Sequence, residues 1–393
     1  MAVIALLVVL VVGLIVWSTV RPAPTAPVPE PLPPRPPVVV VESLPQLAEQ
    51  LGRWGGSGQF TGGLLVARGD EVLFRQVHGF ANRSLGTPLA LNSRFRLASV
   101  SKQFTAAAIL RLQDEGVLST DDPVCKWIKP CPPAWAPIRL HHLLSHSSGI
   151  PDLMARPAWG IRRVTPATME ELTADSMQYG LQFPPGTKVR YNNAAYNLLG
   201  AVVEKASERP LHTYLRTAFF DPLGMADTGY DDGASDVVMG YANLVGGLAE
   251  QPNANVSIIV GAGAMYSTLD DLLVWQRALH GGHLLSPRSY AMMIADHAPA
   301  DTPDERGRPR RGWGFGVFDN SIGQRVSPAF MHRQIFHTGS WSGFRNLVTW
   351  QPDGDVTVIV LSNNFHQRDA VFLLSQQGMA EALGQPFPTA MAR

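Results

Sequence analysis

Three short segments of this chain carry residue types that together can transfer an acyl group. The first is Ser99-Val100-Ser101-Lys102. Residues three apart on a helix share a face, so the Lys102 amine can reach the Ser99 hydroxyl and take its proton. That role needs an amine that is neutral part of the time, a state that burial and nearby positive charge both promote by lowering its pKa. A hydroxyl at a helix start also lies beside free backbone N–H groups and the positive end of the helix dipole, which favour a developing oxyanion. Ser-x-x-Lys alone is a weak signal, expected about once by chance at average residue usage. Here the chain has five lysines, and Lys102 alone has a serine three positions before it.

The second segment, Val189-Arg190-Tyr191-Asn192-Asn193, follows Pro184-Pro185-Gly186 and offers a phenol and carboxamides. The third, His337-Thr338-Gly339-Ser340, falls on a predicted strand. Taken singly, each has a bland explanation: Tyr191 as a core aromatic, Asn193 as a turn residue, His337 as one of eleven histidines packed on a strand. In this order, however, they resemble the signatures Ser-x-x-Lys, Tyr-x-Asn and Lys/His-x-Gly of the serine β-lactamase-like family. That family holds class C β-lactamases, D-alanyl-D-alanine carboxypeptidases and related esterases. Leu143-Leu144-Ser145-His146-Ser147-Ser148-Gly149 and Gly263-Ala264-Met265-Tyr266-Ser267-Thr268 resemble two further stretches of it, and the likeness runs from about Gln59 to about Asn364.

The resemblance implies a division of labour. Ser99 attacks, Lys102 activates it, and Tyr191, as phenol or phenolate, carries the proton to the leaving group. Asn193 binds the substrate's amide carbonyl, and the backbone N–H groups of Ser99 and Ser340 form the oxyanion hole. Thr338 and Gly339 belong to the substrate-binding strand, where Gly339 lets substrate approach the edge closely. His337 orients Tyr191 or contacts a substrate carboxylate. The cycle is acylation of Ser99 and hydrolysis of the ester, with no metal or organic cofactor. The expected activity is that of a D-alanyl-D-alanine carboxypeptidase-like peptidase or esterase on peptide or small-molecule substrates. The alternatives are a class C-like β-lactamase and a non-hydrolysing sensor of penicillins or cell-wall fragments. His337 stands where class C enzymes usually carry Lys, and a neutral imidazole holds a carboxylate less strongly, which favours peptidase or esterase. An α/β-hydrolase esterase is disfavoured because no Gly-x-Ser-x-Gly occurs in the chain.

The elements that must position these residues are legible in the pattern. Apolar residues at helical spacing begin in SLPQLAEQLGRW, and strand-like runs follow over 63–68 and 71–78, joined at Gly69-Asp70. A helix rich in Ala and Leu starts near Ala98 and stops at Gly116, with Ser99 at its start. The middle, 121–284, reads as a helical lobe with pieces such as 197–207 and 268–279. Strands return at 312–318, 333–337, 345–351 and 356–362, and a helix over 370–383 closes the chain. This predicts an α+β fold of the β-lactamase/DD-peptidase kind, one antiparallel sheet of N- and C-terminal strands packed on helices with an inserted helical lobe.

Of the 393 residues, 45% are hydrophobic, and Lys plus Arg equals Asp plus Glu at 32 each, so composition suggests no nucleic-acid partner. Residues 1–20 are apolar and uncharged over 2–17, long enough to span a bilayer, and read as a transmembrane anchor in preference to a cleaved signal segment. Residues 21–41, with RPAPTAPVPEPLPPRPP, form an extended proline-rich spacer before the hydrolase domain at 42–393. Cys125 and Cys131 stand close enough for a disulfide, which with the anchor predicts a catalytic domain facing an oxidising, extracytoplasmic space. Arg21, C-terminal to the span, mildly opposes that orientation. Two other groupings are set aside. His142 and His146, at four-residue spacing on one helix face, lack the Glu of His-Glu-x-x-His and are not expected to hold a metal. The basic run Arg306-Gly307-Arg308-Pro309-Arg310-Arg311 reads as a solvated loop, with contact to an anionic polymer as the alternative.

Overall fold

The computed structural model describes residues 43–392 except 158, 234–235, 246, 252–254 and 303–309. The apolar segment and the proline tract therefore lie outside the described residues. Among the described residues, no helix is long and apolar enough to cross a membrane.

The central element is a seven-stranded sheet: β1 (Gly62–Arg68), β2 (Glu71–His78), β3 (Gly312–Trp313), β4 (Phe318–Asn320), β5 (Gln334–Trp341), β6 (Phe344–Gln351) and β7 (Val356–Ser362). Its order is β3-β4-β5-β6-β7-β1-β2, and every neighbouring pair is antiparallel. The β1–β7 pairing, with Gly62 opposite Ser362 and Arg68 opposite Val356, joins the two ends of the chain. Side-chain alternation explains the layers. Leu64 and Val66 of β1 and Val358 and Val360 of β7 face one core, shared with α1 (Pro45–Ser57) and the closing helix. Leu65 and Ala67, with Ile359 and Leu361, face a second core made with the helical lobe. A sheet covered on both faces needs apolar residues at both parities, which is why VTVIVLS is an almost unbroken apolar run.

The second core holds α2 (Lys102–Asp114), α3 (Asn193–Ser207) and α4 (Leu269–His280), and α5 (Arg368–Ala382) closes the first. The lobe is not wholly helical. It includes a small sheet of 95–96, 265–267 and 229–230 and a hairpin of Tyr241–Leu244 with Gly247–Glu250. The predicted strand at 312–318 is also revised, because its glycines turn the chain into two strands paired as a hairpin. At the turn, Gly316 has φ +70°, and a Cβ there would lie 2.6 Å from the Lys102 carbonyl oxygen. Only glycine allows β4 to pass this close to the start of α2.

Candidate active site

Ser99 lies in a 3-10 turn, Ala98–Ser101, that leads into α2. The residue before it, Ala98, takes a φ of 50°, an uncommon conformation for a side-chain-bearing residue. The turn is held from several sides. The Leu97 amide donates to the Met265 carbonyl at 2.8 Å, and the Ser101 hydroxyl accepts from the Met265 amide at 3.2 Å. From the sheet, the Asn346 carboxamide donates to the carbonyls of Arg96 at 2.8 Å and Leu97 at 3.2 Å. Sequence reasoning passed over Asn346, because a carboxamide on a strand gives no signal until its partner is known.

Lys102 is completely buried. Its Nζ lies 3.2 Å from Ser99 Oγ, 2.9 Å from Asn193 Oδ1 and 2.8 Å from the Ala262 carbonyl oxygen. Burial pushes its pKa down from 10.5 to about 7, while the Asp152 carboxylate opposes the fall. The amine is thus partly neutral near neutral pH, through desolvation and not through a positive neighbour. The same Nζ sits 4.8 Å above the Tyr191 ring and 5.4 Å above that of Tyr196.

Tyr191 is partly buried, and desolvation raises its pKa well above the ordinary tyrosine value, with a hydrogen bond to Ser99 acting against the rise. The geometry therefore offers a phenol and not a phenolate. The segment carrying it is pinned by His146, whose carbonyl accepts from the Arg190 amide at 2.9 Å and whose Nδ1 accepts from the Asn192 amide at 3.1 Å. His146 is buried, adopts φ 60° and lies against the Tyr191 ring. The shared helix face expected for His142 and His146 is not formed, since the helix ends at Leu144. No group of metal-ligating side chains occurs among the described residues.

Asn192 caps α3, its side chain accepting from the Ala195 amide at 2.8 Å, and so places Asn193 at the first helical position. Asp152, another residue without a sequence signal, accepts from the Asn193 amide at 2.6 Å and the Ala194 amide at 3.3 Å. Its negative charge lies at the positive end of α3 and within range of Lys102.

A cavity of about 340 Å³ opens on these groups, lined by Ser99, Tyr191, Asn193, Thr338 and Ser340. Beyond Phe336, the edge of β5 facing it is unpaired among the described residues, because β4 pairs only with 334–336. Met154, Ile259, Phe318 and Trp341 add apolar walls, and Arg311 adds a guanidinium. Arg311 is stacked 4.5 Å from Trp313 and 4.4 Å from Phe318. The solvated-loop reading of the basic run is therefore corrected at its end: Arg311 lines the cleft and Arg310 pairs with Asp296, while 306–309 lie outside the described residues.

Two other members of the third motif, His337 and Gly339, do not line the cavity. His337 is 1% exposed and absent from the cavity wall. Its Nδ1 donates to the Thr338 carbonyl at 2.7 Å, and burial, then the Lys102 charge, pushes its pKa down to about 3. It is a neutral ring beneath the cleft wall, stacked on Phe318 at 4.9 Å and with its centroid 6.2 Å from that of Tyr191. Packing by itself requires Gly339, since a Cβ there would lie 2.2 Å from the Leu97 carbonyl oxygen. The glycine lets the Ser99 turn seat against the sheet.

This arrangement is a Ser–Lys pair at the start of a helix with a Tyr-x-Asn loop on one side and a strand edge on the other. A profile described as Beta-lactamase matches residues 45–376. The chain belongs to the beta-lactamase family. Penicillin-binding protein 4* of Bacillus subtilis is 28% identical over 366 residues, covering 88% of this chain and 76% of that protein. Esterase EstB of Burkholderia gladioli is 30% identical over 290 residues, 64% of this chain and 73% of that protein. Among solved structures, an octameric penicillin-binding protein homologue from Pyrococcus abyssi superimposes with a TM-score of 0.75 at 25% identity, covering 87% of this chain and 77% of that one. The chain is accordingly a serine hydrolase of this family with its α+β fold.

Finally, Cys125 and Cys131 form a disulfide, with Cα atoms 5.4 Å apart, and neither lines the cleft.

Proposed function

We propose that this hydrolase is a D-alanyl-D-alanine carboxypeptidase-like peptidase or esterase that works through an acyl-Ser99 intermediate. The observation that carries the reading is the buried Lys102 amine, 3.2 Å from Ser99 Oγ and held near pKa 7. In acylation the neutral Lys102 amine takes the Ser99 proton as Oγ adds to the substrate carbonyl. The negative oxygen is received by the backbone N–H groups of Ser99 and Ser340. As the carbon–leaving-group bond breaks, the Tyr191 phenol protonates the departing nitrogen or oxygen and regains a proton from the Lys102 ammonium. Water then adds to the ester with its proton passing to the same base, and Ser99 leaves with a proton returned. Asn193 holds the acyl amide while accepting from Lys102, and Thr338 with Arg311 receives a carboxylate on the leaving group. Asp152 and His146 act as positioning residues for Asn193 and Tyr191.

Support for peptidase or esterase over an efficient β-lactamase comes from His337, a neutral and buried group that brings no charge to the cleft. Relatives named esterase, D-aminopeptidase and D-alanyl-D-alanine-carboxypeptidase/endopeptidase accord with it. We further propose that the domain is held outside the cytoplasm by residues 1–20 through the spacer at 21–41. The Cys125–Cys131 bridge supports this, because disulfides persist in oxidising compartments.

The test is intact-mass spectrometry of the protein with a penicillin, beside Ser99→Ala, together with hydrolysis of aryl esters and D-amino-acid peptides. An adduct or turnover abolished by Ser99→Ala supports the assignment, and activity that survives the substitution refutes it. Rapid β-lactam turnover would instead favour the β-lactamase alternative, and a stable adduct without ester or peptide turnover the sensor.

A further inference from the structure

Met154 stands at one end of the Ser99 cleft, beside the Asn193 carboxamide. It is carried by the 3-10 turn Leu153–Ala155, which directly follows Asp152. Leu153 is buried and anchors the turn, whereas Met154 is 42% exposed and lines the cavity with Asn193, Ile259 and Trp341. Trp341 in turn meets Trp159 of the helical lobe edge-on, with ring centroids 6.2 Å apart. The lobe and the end of β5 thus bound this end of the cleft with apolar groups.

The Met154 sulfur accepts a hydrogen bond from Asn193 Nδ2 at 3.1 Å. The orientation of that carboxamide follows from its other partners. Oδ1 accepts from Lys102 Nζ at 2.9 Å, and Nδ2 donates to Asp152 Oδ2 at 3.4 Å, an oxygen that in a carboxylate only accepts. An amide nitrogen carries two hydrogens, and Asp152 and Met154 take both. Asp152 also accepts from the Asn193 and Ala194 amides, so it cannot turn away without loosening the start of α3. Met154 is the acceptor that can leave, being exposed and on an unbranched side chain with freely rotating bonds.

An acyl group with an amide carbonyl in its chain, as in a peptide, must displace the Met154 sulfur before Asn193 can hold it. That carbonyl gives up its water and gains Asn193 only as the sulfur loses it, and the displaced side chain exposes apolar surface. An apolar chain of the same shape leaves the sulfur in place and covers Met154, Ile259 and Trp341 instead. We propose that Met154 is a specificity-determining residue that turns the Ser99 site toward esters of short apolar carboxylic acids and away from acyl groups carrying an amide carbonyl. This rests on the acyl-Ser99 reading above and selects the esterase within it.

The test compares p-nitrophenyl isocaproate with the p-nitrophenyl ester of N-acetylglycine, which has the same shape with an amide in the acyl chain, on the full chain and on Met154→Ala. With spontaneous hydrolysis subtracted, kcat/KM of the wild type should be at least about fivefold higher for the isocaproate. Met154→Ala should move the ratio of the two kcat/KM values at least about tenfold toward the N-acetylglycine ester, because it removes the competing acceptor and the apolar wall together. Met154→Leu, which keeps the bulk and lacks the acceptor, should move the ratio in the same direction by about two- to fivefold. A merely structural role would lower both esters together and leave the ratio in place. A wild-type preference for the N-acetylglycine ester, or a ratio unmoved in Met154→Ala, would overturn the proposal alone if Ser99→Ala still abolishes both activities. If both activities survive Ser99→Ala, the acyl-Ser99 reading fails and this proposal falls with it.

Discussion

Protonating Lys102 should switch the enzyme off, and the pH at which this happens follows from its burial. The ammonium form loses its hydration inside the protein, and the pKa falls from 10.5 to about 7. That difference is worth about 5 kcal/mol in favour of the neutral amine. At about pH 6 roughly a tenth of the molecules carry the free base, so kcat/KM for an aryl ester should fall about tenfold for each further pH unit below that. The same displacement has a stability signature. Between about pH 7 and 10.5 the unfolded chain holds the lysine proton and the folded chain does not, so stability should rise with pH across that window. Below about pH 7 both states are protonated and the full cost of the buried charge is present. Lys102→Met should remove this rise and lower kcat/KM by about 10²–10⁴-fold. The assays are a kcat/KM profile from acid to mildly alkaline pH and urea unfolding of both proteins at neutral and alkaline pH. An acid limb displaced from 7 by two pH units or more, or an equal stability slope in wild type and Lys102→Met, would refute the reasoning.

The Asp152 charge raises the Lys102 pKa against burial, so Asp152→Asn should move the acid limb of that profile to lower pH while weakening the start of α3. A limb that stays in place or moves upward would contradict this. Gly339→Ala should bring a methyl to 2.2 Å from the Leu97 carbonyl, destabilising the fold by about 1–3 kcal/mol and displacing Ser99, read as a lower Tm with a lower kcat. A variant with wild-type Tm and kcat would show that the strand and the turn can part freely. Unreduced protein should titrate with no free thiol, and Cys125→Ser/Cys131→Ser should cost about 2 kcal/mol of stability with little change in kcat, because the bridge closes a short loop and neither cysteine lines the cleft. A large loss of kcat in the correctly folded variant would place that loop in the catalytic machinery.

The legible parts of this protein are those in which short-range spacing and chemistry coincide. Three residues of helix bring Lys102 to Ser99 whatever surrounds them, and the hairpin at Gly69-Asp70 follows from turn preference and alternation. Strand 356–362, with apolar residues at both parities, matches the prediction residue for residue. The run at 312–318 fails as one strand because alternation is blind to a glycine that must turn away from the Lys102 carbonyl. The pair His142 and His146 fails because spacing says nothing of where a helix stops.

By itself, then, the sequence determined the order of the motifs, the family and the pairing of nucleophile with base, because these depend on residues near one another in the chain. Tertiary structure alone decided their state. Lys102 is near pKa 7 only because segments carrying Ala262, Asn193 and Tyr191 close over it and exclude water. It also decided that His337 is withdrawn and neutral, that Gly339 serves the seating of the Ser99 turn, and that Arg311 belongs to the cleft. Desolvation and close approach are sums over atoms from distant parts of the chain, and no local pattern encodes them.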